Sequence, residues 1–229
     1  MFDAATLEVL TLSLWVATTA VVVSLPLALA VAWFLARSQW RGKMVVDALV
    51  HLPLVMPPVV TGYLLLVGLG RNSLVGGWFA DTFGLVFAFK WTGAALAGAI
   101  MGFPLLVRPI RLSLEAIDNR VEAAAATLGA SPIWVALTVT LPLALPGVIA
   151  GLVLAFARAL GEFGATITFA SNIPGETRTL PIAIYTFIQV PGGESRAAQL
   201  IIVSIAVSLT ALVASELIAR RVKRLQAAP

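Results

Sequence analysis

Apolar residues occur in five long runs, and this distribution constrains the fold more than any other feature of the sequence. A helix that crosses a bilayer needs about 20 mostly apolar residues. The predicted spans cover residues 10–35, 48–69, 91–107, 145–170 and 197–219. Of the 229 residues, 60% are hydrophobic and 11% are charged, a balance too apolar for a soluble domain. The sequence therefore predicts an all-α, polytopic membrane protein with about five spans, forming a single transmembrane domain over residues 1–229.

Lys and Arg between the spans predict the orientation of the chain. One side receives most of them: Arg37, Arg41, Lys43, Arg108, Arg111, Arg120, Arg220, Arg221, Lys223 and Arg224. The other side receives Arg71, Lys90, Arg178 and Arg196. The positive-inside rule then predicts an outer N-terminus and a cytoplasmic C-terminus. Because these cations lie at the ends of apolar runs, topology explains the net charge of +4, and we expect no nucleic-acid partner.

Two connectors are too long to be simple turns. The outer connector, residues 171–196, contains an apolar piece too short to span, which predicts a short helix at 178–190 that re-enters the membrane or lies on its surface. The cytoplasmic connector covers residues 112–143. In the fourth span, Gly147, Gly151, Ala157 and Gly161 predict a face of small residues that lets another helix approach closely.

The cytoplasmic connector has the pattern of a helix-turn-helix. Asn119 is a candidate N-cap with Glu122 three residues later, and Gly129 can end the helix. Ser131 and Pro132 can start a second helix, which we expect to end at a break at 141–142. Such a segment is either a loop on the membrane surface or an element that docks into a soluble partner.

The residues of this connector resemble the cytoplasmic signature of ABC importer permeases. The run 122–130, EAAAATLGA, is followed at 139–142 by VTLP. The resemblance implies a coupling helix that sits on a nucleotide-binding subunit. The positions that would carry this role are Glu122, Ala124, Ala125, Leu128, Gly129, Leu141 and Pro142.

Further segments resemble the permease subunits of molybdate importers. They are ALGEFGATI at 159–167, SNIPGETRT at 171–179, HLPLV at 51–55 and PGGES at 191–195. The resemblance implies the transmembrane domain of a type I ABC importer in the bacterial cytoplasmic (inner) membrane, working by alternating access. It also implies a homodimer, two ATPase subunits, and a periplasmic or lipid-anchored molybdate-binding protein. Sulfate and tungstate permeases share much of this pattern, so those cargoes remain alternatives.

The chain lacks the residues for ATP chemistry. Residues 68–73, GLGRNS, lack both the spacing and the lysine of a phosphate-binding loop. His51 is the single histidine and there are no cysteines, which makes a metal site improbable. We therefore expect no enzyme activity and no cofactor in this chain, with ATP and Mg²⁺ bound by the partner ATPase. An ion-coupled secondary transporter remains the alternative of another class, although the internal repeats common in such carriers are not evident.

Arg158 and Glu162 lie inside the fourth predicted span, where ionisable groups need a partner or a water-filled cavity. Their spacing allows them to pair with each other, and the alternative is that they border the path of an anion. Phe163 and Thr166 follow them and are further candidates for the path or gate. On the outer side, the candidates for docking a binding protein are Glu176, Arg178 and Glu194, which are otherwise solvated loop charges.

Overall fold

The computed structural model describes the backbone of residues 3–226 and, within that range, contains helices and no strand. The α-helices are α1 (Ala4–Arg37), α2 (Lys43–Val55), α3 (Pro58–Leu69), α4 (Leu74–Phe83), α5 (Trp91–Glu115), α6 (Asn119–Thr127), α7 (Pro132–Val135), α8 (Leu141–Leu160), α9 (Gly164–Phe169), α10 (Leu180–Ile188) and α11 (Glu194–Gln226). A π-helical segment, Ala136–Thr140, joins α7 to α8. The predicted all-α fold class is confirmed.

Within residues 3–226, four helical stretches are individually long and apolar enough to cross a membrane. They are Ala4–Arg37, Trp91–Glu115, Pro132–Leu160 and Glu194–Ala214. Helices α2 and α3 together have the length and composition of a fifth span, and they are bent by 112° at the break between them, as in a broken span or a re-entrant loop. We predicted a span over 48–69, and within it the helix is broken. Pro57 and Pro58 supply no N–H groups, so the α2 helix ends at Val55 and a new helix starts at Pro58.

Helices α5 and α8 form the central pair of the bundle, and α1 packs against both. Gly147 and Gly151 face α5, and a β-carbon at Gly151 would lie 2.7 Å from the carbonyl oxygen of Leu106. The same buried face continues as Ala155 and Ala159. The close approach predicted from Gly147 and Gly151 is therefore present. Ala157 and Gly161 are exposed instead, because they lie on the opposite side of the helix.

Polar contacts fix the two ends of this bundle. At one end, the Ser13 hydroxyl in α1 accepts a hydrogen bond of 2.7 Å from the Leu180 N–H at the start of α10. At the other end, Arg37, the last residue of α1, bonds to residues of α6. We refer to the end that contains Arg37 and α6 as the predicted cytoplasmic end, and to the end that contains α10 as the predicted outer end.

The fourth crossing begins and ends earlier than we predicted. The break expected at Leu141 and Pro142 is absent, because a π-helical turn joins α7 to α8 in one helical stretch from Pro132 to Leu160. A π turn widens the backbone and is a recognised way for a helix to bend without ending. At the far end α8 stops at Leu160, not at residue 170, and α9 begins at Gly164.

Helix α4 was not predicted from the sequence. Two glycines in its first turn give that segment a poor helical propensity. The Ser73 hydroxyl caps the helix by accepting a 2.9 Å hydrogen bond from the Gly76 N–H, and Gly84 ends it in the left-handed conformation at φ 66°. Capping at both ends therefore outweighs a weak local signal.

Candidate coupling site and translocation path

The first helix of the coupling segment is capped by a different residue from the one predicted. The Asp118 carboxylate accepts a 2.9 Å hydrogen bond from the Arg120 N–H, so Asp118 is the N-cap and Asn119 is the first helical residue. The Asn119 side chain is used elsewhere, accepting a 2.6 Å hydrogen bond from Arg37 Nη1. Aspartate and asparagine are about equally good caps, so the local sequence did not distinguish them.

The corner between α6 and α7 is a left-handed turn. Gly129 follows the C-cap residue Leu128 with φ 88°, a conformation that costs most other residues about 1–2 kcal/mol. The Ser131 hydroxyl accepts a 3.4 Å hydrogen bond from the Trp134 N–H and caps α7. A compact helix-turn-helix thus extends from the predicted cytoplasmic end.

The tip of this helix-turn-helix is apolar and exposed. Leu128 is 89% exposed, Ile133 is 74% exposed and Trp134 is 61% exposed. No residue of α6 is buried. Single exposed apolar side chains are common, but three large ones grouped around one turn form a surface suited to a protein partner.

The seven signature positions divide into three groups in the structure. Ala124 and Leu128 are exposed, while Ala125 is half-buried. Glu122 turns inward, where its Oε1 atom accepts hydrogen bonds from Arg37 and Thr140. The remaining three positions provide the corner and the start of α8: Gly129, Leu141 and Pro142. The segment therefore combines an exposed face with a carboxylate bound to the rest of the chain.

Arg158 and Glu162 form an ion pair at the junction of α8 and α9. Arg158 lies in the last turn of α8, and the next residue, Ala159, packs in one cluster with Ala17 and Ala20 near the middle of α1. The Glu162 side chain is 2% exposed, and its Oε1 atom accepts a 2.8 Å hydrogen bond from the Ala165 N–H. One buried carboxylate thus neutralises Arg158 and starts α9.

The other two path candidates lie beside this pair. Thr166 is buried in α9, and Phe163 lies between α8 and α9 with its ring centroid 5.0 Å from that of Tyr185 in α10. All four predicted path residues therefore meet at the junction of α8 and α9. Helix α3 also packs against α9 there, and Gly62 makes the close contact with Ala165 possible.

The three candidates for docking a binding protein are separated at the predicted outer end. Glu176 accepts a 3.2 Å hydrogen bond from the Trp91 N–H and lies 3.7 Å from Lys90 Nζ. Arg178 donates a 2.7 Å hydrogen bond to Asn172 and lines a cavity of about 100 Å³. Glu194 is exposed at the start of α11. The first two thus also bind within the chain, whereas Glu194 faces solvent.

Sequence reasoning missed Arg37 and Thr140 as the hydrogen-bond partners of Glu122. Both lie far from Glu122 along the chain, by 85 and 18 residues. Arg37 contributed only to the topology prediction, and Thr140 lay inside the signature without being one of its defining positions. One signal was available in the sequence. Arg37 ends the first predicted span on the predicted cytoplasmic side, and Glu122 is an acidic signature residue on that same side with no partner near it in the sequence.

Comparison with known proteins assigns the chain to a family. Residues 24–224 match the model of the binding-protein-dependent transport system inner membrane component. The chain belongs to this family. It is 59% identical over 209 residues to the molybdenum transport system permease protein ModB of Escherichia coli strain K12, covering 91% of each chain. It is 56% identical over 218 residues to the protein of the same name from Haemophilus influenzae, covering 95% of each chain.

Solved structures share this fold at low sequence identity. A chain of a bacterial ABC transporter that imports the acidic polysaccharide alginate matches with a TM-score of 0.75 and 16% identity, over 96% of this chain and 80% of that one. A chain of the MetNI methionine ABC transporter matches with a TM-score of 0.69 and 16% identity, over 96% and 99%. The chain therefore has the fold of an ABC importer transmembrane domain and is a multi-pass membrane protein.

Proposed function

We propose that this chain is the permease subunit of an ATP-driven importer that moves molybdate across the bacterial cytoplasmic membrane. The observation that carries this proposal is 59% identity, over 91% of both chains, to a molybdenum transport permease. An exposed apolar helix-turn-helix at one end of the bundle gives such a permease a place to receive force from a soluble subunit.

The assembly we propose is a homodimer in which each copy contacts one ATPase subunit. The coupling residues are those of the signature: Glu122, Ala124, Ala125, Leu128, Gly129, Leu141 and Pro142. Ala124 and Leu128 would face the ATPase because they are exposed, and their helix is rich in small side chains that permit close approach. ATP and Mg²⁺ would bind to the ATPase subunits, and a periplasmic or lipid-anchored protein would deliver molybdate.

Helix α8 gives this machine a mechanical connection between its two ends. The stretch from Pro132 to Leu160 has 29 residues and a length of about 43 Å. It begins beside the coupling tip and ends at Leu160, with Arg158 in its last turn. Movement of the helix-turn-helix would therefore tilt or shift the junction that contains Glu162, Phe163 and Thr166, which we propose as part of the gate or path. In this way the path would open alternately to the two sides of the membrane.

The neutral Arg158–Glu162 pair suits the passage of a dianion. An unpaired arginine in a narrow path would hold the anion strongly and delay its release, because conduction requires binding that is weak enough to reverse. Selectivity would then reside mainly in the binding protein. We propose Glu176, Arg178 and Glu194 as its docking residues, with Glu194 the most accessible of the three.

The test is uptake of radiolabelled molybdate into proteoliposomes that contain this chain, its ATPase and its binding protein. We expect uptake that needs ATP and that tungstate blocks but sulfate does not. ATP-driven uptake of sulfate would keep the machine and change its cargo. Uptake driven by an ion gradient in the absence of the ATPase would instead make the chain a secondary transporter and overturn the proposal.

Gly129→Val is expected to uncouple ATP hydrolysis from transport. Valine at φ 88° adds backbone strain of about 1–2 kcal/mol or more, enough to reduce the population of the correct corner by about 5- to 30-fold. A β-carbon at position 129 would meet no atom within 4 Å, so the effect would come from backbone strain and not from a clash. Molybdate uptake should fall by about that factor while the ATPase subunits still hydrolyse ATP.

Gly84→Val is the matched control for this experiment. Gly84 also has a positive φ, 66°, and open space around a β-carbon, but it ends α4 at the predicted outer end. We expect this variant to retain its ratio of uptake to hydrolysis. Equal ratios in both variants would contradict the coupling role of the Gly129 corner.

A further inference from the structure

Glu122 faces away from the exposed tip of the coupling segment. Its Oε1 atom accepts a 2.6 Å hydrogen bond from Arg37 Nη2 and a 2.8 Å hydrogen bond from Thr140 Oγ1. Arg37 also donates a 2.6 Å hydrogen bond from Nη1 to Asn119. We call these four residues the Glu122 clamp. They join three elements: the end of α1, the coupling helix α6 and the π-helical segment before α8.

Little else holds α6 in position. None of its residues is buried, and its main helix contacts are with α7 and the π-helical segment. A cavity of about 420 Å³ lies beside α6. It is lined on one side by residues of α6 such as Ala123 and Ala126, and on the others by Trp33 in α1 and by Val135 and Ala136. Because apolar packing contributes so little here, the hydrogen bonds of the clamp set the position of α6 relative to α1.

The clamp is placed where a displacement of α6 would enter the membrane bundle. Thr140 is 1% exposed and is the last residue of the π-helical segment, directly before α8. Short π-helical turns occur frequently at functional sites because they are less regular than the surrounding helix. The Arg37 and Glu122 side chains are each 24% exposed, so their charge-assisted bonds are partly shielded from water.

We propose that Glu122 is a positioning residue that ties the coupling helix to α1 and α8 of its own chain. This inference rests on the proposed function, because transport coupled to ATP hydrolysis is its readout. The exposed residues of the tip would receive the force, and the clamp would pass it to the two helices that lie against the centre of the bundle. Glu122 and the exposed signature residues would thus have different tasks.

The test compares three single variants of the assembled transporter: Glu122→Ala, Arg37→Ala and Thr140→Val. The measured quantity is molybdate taken up per ATP hydrolysed. Each variant should lower this ratio by at least about 5-fold, while the ATPase subunits co-purify in the wild-type amount. The double variant Arg37→Ala with Glu122→Ala should lower the ratio by less than the product of the two single effects, because both single variants already lose the Arg37–Glu122 bond. Arg41→Ala, at an exposed arginine just beyond the end of α1, should leave the ratio unchanged.

A second readout does not depend on transport. Hydrogen exchange of the backbone amides at 119–127 should become faster in all three clamp variants and remain at the wild-type rate in Arg41→Ala. Unchanged exchange and an unchanged ratio in Arg37→Ala and Thr140→Val, together with loss of the ATPase from Glu122→Ala, would overturn the clamp and make Glu122 an interface residue. If the wild-type assembly did not transport molybdate, the proposed function would fail, and the exchange rates would still test the clamp.

Discussion

Arg158→Leu is expected to destabilise the protein more than any other single substitution considered for this chain. It leaves the Glu162 carboxylate, which is 2% exposed, without its cationic partner. Breaking a buried ion pair from one side costs about 3–5 kcal/mol, because the remaining charge is neither solvated nor paired. We expect a clear fall in the melting temperature of the detergent-solubilised protein, together with loss of molybdate uptake.

Two further variants separate this charge effect from loss of side-chain packing. Glu162→Gln leaves Arg158 unpaired, but that side chain is 26% exposed and retains some contact with solvent, so the loss should be smaller. The glutamine carbonyl can still accept the hydrogen bond from the Ala165 N–H. Arg158→Leu combined with Glu162→Gln removes both charges and should recover part of the stability lost in Arg158→Leu. A double variant as unstable as Arg158→Leu would indicate that the arginine acts through packing.

Gly62→Ala is expected to separate α3 from α9 and to reduce both stability and transport. A β-carbon at position 62 would lie 2.5 Å from the carbonyl oxygen of Ala165 and 2.9 Å from Thr168 Cβ. Backbone atoms cannot move aside without shifting a helix, and overpacking of this kind costs about 1–3 kcal/mol. Since α9 carries Thr166 and begins at the Arg158–Glu162 junction, the shift should also reach the proposed path. Melting temperature and uptake measure the two effects.

Gly68→Ala provides the control on the same helix. A β-carbon at position 68 would meet no atom within 4 Å. Alanine also has a higher helix propensity than glycine, by about 1 kcal/mol in water, so this variant should be as stable as the wild type or slightly more stable. If Gly62→Ala and Gly68→Ala behaved alike, the tight contact between α3 and α9 would not be important in the membrane.

The features that were predicted well depend on local sequence. Four of the five apolar runs correspond to helices long and apolar enough to cross a membrane. The turn residues Gly129, Ser131 and Pro132 indicated a helix-turn-helix, because each signal lies within a few residues of the element that it specifies. The spacing of Gly147 and Gly151 likewise identified a face that packs closely, since residues four apart share one side of a helix.

The features that were missed are ones for which the local sequence allows more than one conformation, and contacts with other helices decide which conformation forms. Asp118 and Asn119 are both good N-caps, and Asn119 is not the cap because Arg37 binds its side chain. The apolar run at 48–69 indicated a span but not the 112° bend between α2 and α3 at Pro57 and Pro58. A proline can kink a helix or end it, and packing against α9 holds α3 in its direction.

The sequence by itself determined that this chain crosses a membrane, where the helix-turn-helix after α5 lies, and which of its residues match the permease signature. These properties follow from apolar run length and from turn chemistry, which act over one or two helical turns. Only the tertiary structure decided what Glu122 binds, because Arg37 and Thr140 lie 85 and 18 residues away and no helical period relates them. It likewise decided that Glu162 both pairs with Arg158 and starts α9, since a buried carboxylate takes its partners from whatever the fold brings within hydrogen-bond distance.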